Sequence, residues 1–276
     1  IKNPRINSRG ENTSAILGFV NTLEDVLRRE NPSHIAVGFD PHGPTFRHEA
    51  YAPYKAQRQQ MPEDLAASIP YAFELAEALK IPVVRVPGFE ADDVMGTLAV
   101  KGAGFDVYMA TPDKDAAQLV RPGVKLYRPA HAGDDAEIYD EAKVCERWKL
   151  RDPLQMIDYL ALAGDSSDNI PGIRGVGEKT AVQLLAEFGD VEGIIANSAK
   201  IKGKLSEKVA SGAEDAKMSK FLTTIRTDVP LELCSRMRAS SYYIGALLAR
   251  FGEEITHMLS VEEILQGLSD TIQEAI

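Results

Sequence analysis

A chain of 276 residues, 44% hydrophobic and 26% charged, can bury one large core or two modest ones, and its composition carries no bias toward disorder. No apolar run reaches the length of a membrane span, and two cysteines without a C-x-x-C pairing supply neither a disulfide framework nor a zinc site, which fits a reducing cytoplasm. The net charge of −10, taken alone, argues against nucleic acid as a partner, unless the acids have a task of their own and the bases are grouped locally.

Asn12 or Thr13 can cap a first helix, whose apolar positions Ile16, Leu17, Val20, Leu23, Val26 and Leu27 recur at helical spacing. Residues 34–39 (HIAVGF) read as a short strand leading into Asp40. The segment 41–62 carries Pro41, Pro44, Pro53 and Pro62, and interleaves Arg47, His48, Lys55 and Arg58 with Phe46, Tyr51 and Tyr54. Connections of this length are uncommon unless functional or mobile. Its charges and aromatics suit a nucleic-acid backbone and bases, and they suit equally a solvated loop pinned by its rings.

Pro62-Glu63-Asp64 opens a second helix, with Ile69, Ala72, Phe73, Leu75, Ala76 and Leu79 as its buried face. A strand at 81–86, a helix at 90–101, a strand at 105–110, a short helix from about Asp113 and a strand at 124–128 follow. Strands alternating with helices predict right-handed crossovers and an α/β fold with a mostly parallel central sheet and flanking helices, over 1–139. From about residue 140 helices take over, at 140–149, 153–163, 177–187, 190–196 and 204–225, as a helical subdomain ending near 230. A tail at 231–276 shows helical pattern around 241–250 and 261–270 and has no assignment.

Acids stand at or just past the ends of the apolar runs: Asp40, then Glu90, Asp92 and Asp93, then Asp113 and Asp115, then Asp165 and Asp168. In parallel sheets, sites lie beyond the carboxyl ends of the strands. Two carboxylates about 5 Å apart repel by roughly 3 kcal/mol at an effective dielectric of 20, so a cluster needs counter-charge or raised pKa values. Hard divalent cations, Mg²⁺ or Mn²⁺, suit such oxygen ligands. Each group also has a plainer reading. Acids at 90–93 are favoured by the helix dipole in any case, Asp113 and Asp115 can cap a helix, and Asp168 can form an Asx-turn before Asn169. His34, His42, His48, His131 and His257 have no catalytic pairing, and Trp148 and Tyr159 read as core.

Residues 172–180 (GIRGVGEKT) fall between two expected helices. Gly172, Gly175 and Gly177 allow close backbone approach, Ile173 and Val176 supply apolar plugs, and Lys179 adds charge where amides at a helix N-terminus can face a phosphate. The pattern is a helix-hairpin-helix, which grips duplex backbone without reading bases. A plain turn between packed helices would use glycines too, whereas a Walker A loop is excluded because no G-K-[ST] follows a strand at the required spacing.

With these pieces in order, the chain resembles the 5′ nuclease (flap endonuclease) domain at the start of bacterial DNA polymerase I. The resemblance runs from Ile1 to about residue 230 and is carried by FDPHGPTFRHEAYAPYKAQR, PGFEADDVMGTLA, TPDKDAAQLV and GDSSDNIPGIRGVGEKTA. It implies a PIN-like sheet followed by the hairpin subdomain, and two or more Mg²⁺ or Mn²⁺ ions. The expected ligands are Asp40, Glu90, Asp92, Asp113, Asp115, Asp165 and Asp168, with Asp93 beside them. Arg47 and Lys55 match basic residues of a helical arch that a 5′ single strand threads, and act in catalysis with Asp40, Glu90, Asp92, Asp113 and Asp115. Contacts to DNA are implied for Arg47, Tyr54, Lys55, Arg58, Gly172, Arg174, Gly175, Gly177 and Lys179, with K⁺ at the hairpin.

The implied partners are 5′-flap, nicked or branched DNA, an RNA primer end, and a covalently linked polymerase region, in a bacterial nucleoid. The family opens with a strand bearing a further Asp ligand, expected upstream of Ile1, so the chain reads as a fragment. Two other classes fit parts of the pattern. A DNA-structure binder without chemistry would follow if the absence of that first strand and its ligand left binding intact and chemistry lost. A phosphatase of small phosphoesters would need neither the hairpin nor the basic segment.

Overall fold

The computed structural model describes residues 4–8, 10–129 and 135–231. In chain order these form α1 (Ser14–Glu30), β1 (Val37–Gly38), α2 (Phe46–Ala50), α3 (Glu63–Ala78), β2 (Val83–Val84), α4 (Ala91–Lys101), β3 (Val107–Ala110), β4 (Val124–Arg128) and β5 (Glu137–Tyr139). Helices then follow: α5 (Glu141–Trp148), α6 (Met156–Ala163), α7 (Glu178–Phe188), α8 (Val191–Ala196), α9 (Lys204–Ser211) and α10 (Ala213–Thr223). Among the described residues no helix is long and apolar enough to cross a membrane. The chain divides into two compact units: residues 4–39 with 59–85, and residues 40–58 with 86–231.

In the first unit, α1 turns Ile16, Val20, Leu23 and Leu27 inward at helical spacing, against Ala72, Leu75, Ala76 and Leu79 of α3 and its end. Each of the Val, Leu and Ile side chains contributes about 1.5–3 kcal/mol by leaving water, the alanines less. Thr13 occupies the position before α1, but the hydrogen bond there is made by Asn12 Oδ1, which accepts from Ser14 N–H at 3.1 Å. Arg28 and Arg29 lie in the last turn, which Asn31 closes in the left-handed region. β1 and β2 pair in parallel, Val37 opposite Val83 and Gly38 opposite Val84. The expected strands 34–39 and 81–86 thus narrow to short pairs. Pro82 and Pro87 flank β2 and have no N–H to extend the ladder.

The second unit holds a separate sheet in the order β3-β4-β5, the first pair parallel and the second antiparallel. Parallel pairing was legible in the alternation; β5 was not. α6 is mostly apolar, with Met156, Leu160, Ala161 and Leu162 in the core and the buried Asp158 paired to Lys220, and it packs on α7 and α10. The predicted helix 204–225 is broken at Gly212 into α9 and α10. A Cβ on Gly212 would stand 2.9 Å from Ile173 Cγ2, so the break admits the hairpin's own apolar plug. The patterns expected at 241–250 and 261–270 lie outside the described residues.

Candidate active site

The acids that end the apolar runs meet in the second unit. Asp40, Glu90, Asp92, Asp113, Asp115 and Asp168 line a cavity of about 150 Å³, together with Arg47, Tyr54, Lys55 and Arg58. Local rules place each one. Asp40 Oδ1 accepts from Ala91 N–H at 2.8 Å, which fixes its carboxylate at the start of α4. Glu90 occupies the N-cap of α4. Asp113 Oδ1 accepts Asp115 N–H at 3.0 Å, which folds the TPDKD run into the turn that presents both.

These carboxylates are not equally neutralised. Glu90 is buried and receives Lys55 Nζ at 2.8 Å and the Tyr54 hydroxyl at 3.0 Å. Asp168 pairs closely with Arg58 and stands 3.6 Å from Lys55 Nζ. Burial, then Glu90 and Asp168, hold the Tyr54 hydroxyl protonated, well above the ordinary tyrosine range. Asp92 forms no ion pair among the described residues, and burial, then Asp113, Glu90 and Asp40, push its carboxyl up to about 7. Asp115 is likewise pushed up to about 7, first by burial and then by Asp113. Its Oδ1 is buried and accepts no hydrogen bond.

Two raised carboxyls and a buried carboxylate oxygen without a hydrogen bond make this cavity an under-neutralised set of oxygen donors, chemistry that suits a hard divalent cation. Among the described residues no three acids or imidazoles gather tightly enough to enclose an ion alone.

The hairpin lies between α6 and α7. Ile173 and Val176 are buried at 2% and 4% exposure, as plugs, while Arg174, Gly175, Gly177 and Lys179 are exposed. Gly177 is the N-cap of α7, so amides of its first turn have no partner within the helix. Lys208 of α9 brings its Nζ to 3.4 Å from the Gly175 carbonyl.

Two family models match the chain: "5′-3′ exonuclease, N-terminal resolvase-like domain" over residues 1–149 and "5′-3′ exonuclease, C-terminal SAM fold" over 151–241. The chain belongs to the 5′-3′ exonuclease family. It is 43% identical over 230 residues to DNA polymerase I of Bacillus caldotenax, covering 82% of this chain and 26% of that protein, so it spans about a quarter of the relative's length. Among solved structures it is similar to T5 5′-exonuclease with bound divalent metal ions (zinc), with a TM-score of 0.66, 22% identity, and 92% and 90% of the two chains covered. It is also similar to the catalytic core of Rad2 in complex with DNA substrate, with a TM-score of 0.57, 19% identity, and 96% and 86% covered. At these identities the structural likenesses establish the fold, a PIN-like α/β domain with a helical C-terminal part.

Within this family member, several residues carried over from the resemblance do other work. Arg47 is 3% exposed, and every N–H of its guanidinium has an acceptor. Nη1 and Nη2 clasp Asp93 at 2.8 and 2.9 Å, Nε donates to the Leu222 carbonyl at 2.7 Å, Nη2 also reaches the Thr224 carbonyl at 2.9 Å, and Nη1 lies 3.4 Å from Glu90. It has no N–H left for a phosphate.

Asp93 is fully buried, and accepts from Glu90 N–H at 2.9 Å and Arg226 N–H at 2.8 Å besides Arg47. Its oxygens are spent on capping α4 and anchoring residues 222–226, so it is not placed as a metal ligand. Tyr54 is 3% exposed and serves Glu90 rather than a base. Gly172 is buried: its N–H donates to Ser219 Oγ at 3.0 Å, and a Cβ there would lie 2.4 Å from Gly164 N, so it closes the turn and offers nothing to DNA. Asp165 is outside the cavity lining. Burial raises its carboxyl, but Lys114 and Ser167 outweigh that and hold it below the usual range.

Residues 46–58 of the expected arch dock on the loop before the hairpin, through Lys55 N–H to Asp168 O at 2.9 Å, Gln57 Nε2 to Ser166 O at 2.7 Å and Asn169 Nδ2 to Pro53 O at 2.7 Å. Lys55 holds φ +54, a region that costs a non-glycine residue about 1 kcal/mol or more; its ladder to Asp168 and Glu90 maintains it. His48 packs on Tyr54 and bonds Thr45, and Tyr159 and Trp148 belong to the core, as read from the sequence. Sequence reading missed Lys114. Its place between Asp113 and Asp115 was the available signal.

Proposed function

We propose that this chain hydrolyses phosphodiester bonds at 5′ flaps and 5′ ends of nicked or branched DNA, as the nuclease part of a bacterial DNA polymerase I, with two or more Mg²⁺ or Mn²⁺ ions. The observation that carries the reading is the gathering of Asp92 and Asp115, both with carboxyls pushed up to about 7, on one cavity with Asp40, Glu90, Asp113 and Asp168. The likenesses to T5 5′-exonuclease, with its divalent ions, and to Rad2, with its DNA, support it.

Bound at these oxygens, divalent ions would supply a water of lowered pKa and charge stabilisation of the leaving 3′ oxygen. Asp40, Glu90 and Asp92 would hold one ion, Asp168 would serve another, and Asp113 and Asp115 would lie between them. The protein's own part is positional. Lys55, held by Glu90 with N–H groups to spare, offers charge to the phosphate at the cavity wall. Arg47 fixes α4 and the chain at 222–226, so that Glu90 and Asp92 do not move as charge develops. The exposed hairpin amides with Arg174 and Lys179 would seat duplex phosphates, so the cut is set by DNA shape and not by base sequence.

The test is cleavage of a labelled 5′-flap duplex with Mg²⁺ and with EDTA. The reading expects cutting near the flap junction only with Mg²⁺, leaving a 5′-phosphate. Uncut DNA at saturating Mg²⁺, with binding retained, would make this a DNA-structure binder.

A further inference from the structure

We propose that Lys114 is a resident counter-cation that a divalent ion must displace, so that this lysine sets how tightly the cavity takes metal. The proposal deepens the metal reading above and rests on it.

Lys114 stands in sequence between Asp113 and Asp115, just before the 3₁₀ turn at 115–119. Its ammonium pairs closely with Asp165 Oδ2 and stands 3.4 Å from Asp115 Oδ1. That same Asp115 oxygen is buried and accepts no hydrogen bond. The ammonium therefore compensates the charge of Asp115 without satisfying the atom. It links a carboxylate that lines the cavity to one that does not.

The contrast with Arg47 gives the arrangement its meaning. Arg47 is 3% exposed and clasped by backbone and carboxylate on all sides, so it cannot leave. The Lys114 side chain is 41% exposed and tethered only at its tip, on a flexible stem whose ammonium water solvates well. An ion arriving at Asp115 meets a like charge a few ångströms away, and the weaker-held of the two must move. Withdrawal of Lys114 would expose Asp115 Oδ1 and Asp165 Oδ2 together, Asp165 Oδ1 staying with Ser167, which returns Asp165 to the ligand set that the sequence suggested.

The experiment is a calorimetric titration of Mn²⁺ into the whole chain, K114Q and K114R, alongside amine-reactive labelling of Lys114 followed by mass spectrometry. K114Q is expected to bind Mn²⁺ about tenfold tighter, the scale of one charge-assisted contact, and K114R to stay close to the parent. Saturating Mn²⁺ is expected to speed labelling of Lys114 several-fold in the parent chain. Equal or weaker Mn²⁺ binding by K114Q, or labelling that Mn²⁺ leaves unchanged, would overturn the proposal while leaving the metal reading in place. The labelling arm needs no variant, so a poorly folded K114Q would not blunt the test. Absence of Mn²⁺ binding in every form would overturn the metal reading, and this one with it.

Discussion

At the start of α4, Asp93 is sealed against Arg47 with its oxygens fully used, while its neighbour Asp92 faces a cavity shared with Asp40, Glu90 and Asp113 and forms no ion pair among the described residues. One carboxylate holds the fold together; the other is held by the fold at a disadvantage. The difference shows where the chain spends charge on shape and where it keeps charge back for a ligand. Perturbed acids cluster at sites because the unpaired form is useful there.

The largest effect should come from breaking the sealed side. Arg47→Ala would strand Asp93 as a buried, unpaired charge and leave the Leu222 and Thr224 carbonyls without their donor. Removing one partner of a buried pair costs about 3–5 kcal/mol, a large part of a typical stability of about 5–15. Denaturant titration should show that loss, and Arg47→Lys should recover little of it, since one ammonium cannot replace the planar fork. A variant as stable as the parent would mean that the pair is not structural.

The open side should respond to pH with its own sign. Asp92 and Asp115 have folded pKa values of about 7, above the ordinary carboxylate value of about 4, so the folded state binds their protons more tightly than the unfolded state does. Their stabilising contribution is complete below about pH 4 and is lost as pH rises through about 7. Asp165, with a lowered value, acts in the opposite direction as pH falls. Subtracting the melting curve of D92N/D115N from that of the parent, in EDTA, isolates the open pair. The difference should favour the parent in acid and turn against it toward neutrality, and Mg²⁺ should remove the turn. A difference flat in pH would break the comparison.

The smallest effect concerns the hairpin. Arg174→Ala and Lys179→Ala should each weaken DNA binding evenly across sequences and lower the slope of log affinity against log salt by about 1. Stability should hardly change, because both side chains are exposed.

Much of this was legible in the sequence. Helical spacing gave α1 and α3, the strand–helix alternation gave the parallel pairs, and Ile173 and Val176 marked the hairpin as plugged. The gathering of acids beyond strand ends was legible for the same reason, since topology fixes that edge. What one residue's rotation decides was not legible. Successive helix positions point about 100° apart, so Asp92 and Asp93 look alike in a string and face different surroundings in α4. Arg47 read as a phosphate ligand because its acceptors lie far along the chain, at Asp93, Leu222 and Thr224. The break at Gly212 escaped notice because it depends on where Ile173 lands.

The most direct measurement is of D92N and D93N side by side, each assayed for flap cleavage with Mg²⁺ and for melting temperature in EDTA at neutral pH. D92N should lose cleavage by about a hundredfold or more and melt higher than the parent, because a charge the fold resists has been removed. D93N should melt several degrees lower, with any loss of cleavage following the loss of fold. Equal losses of stability in the two variants, or a D92N that cuts as fast as the parent, would contradict the division between the sealed and the open carboxylates.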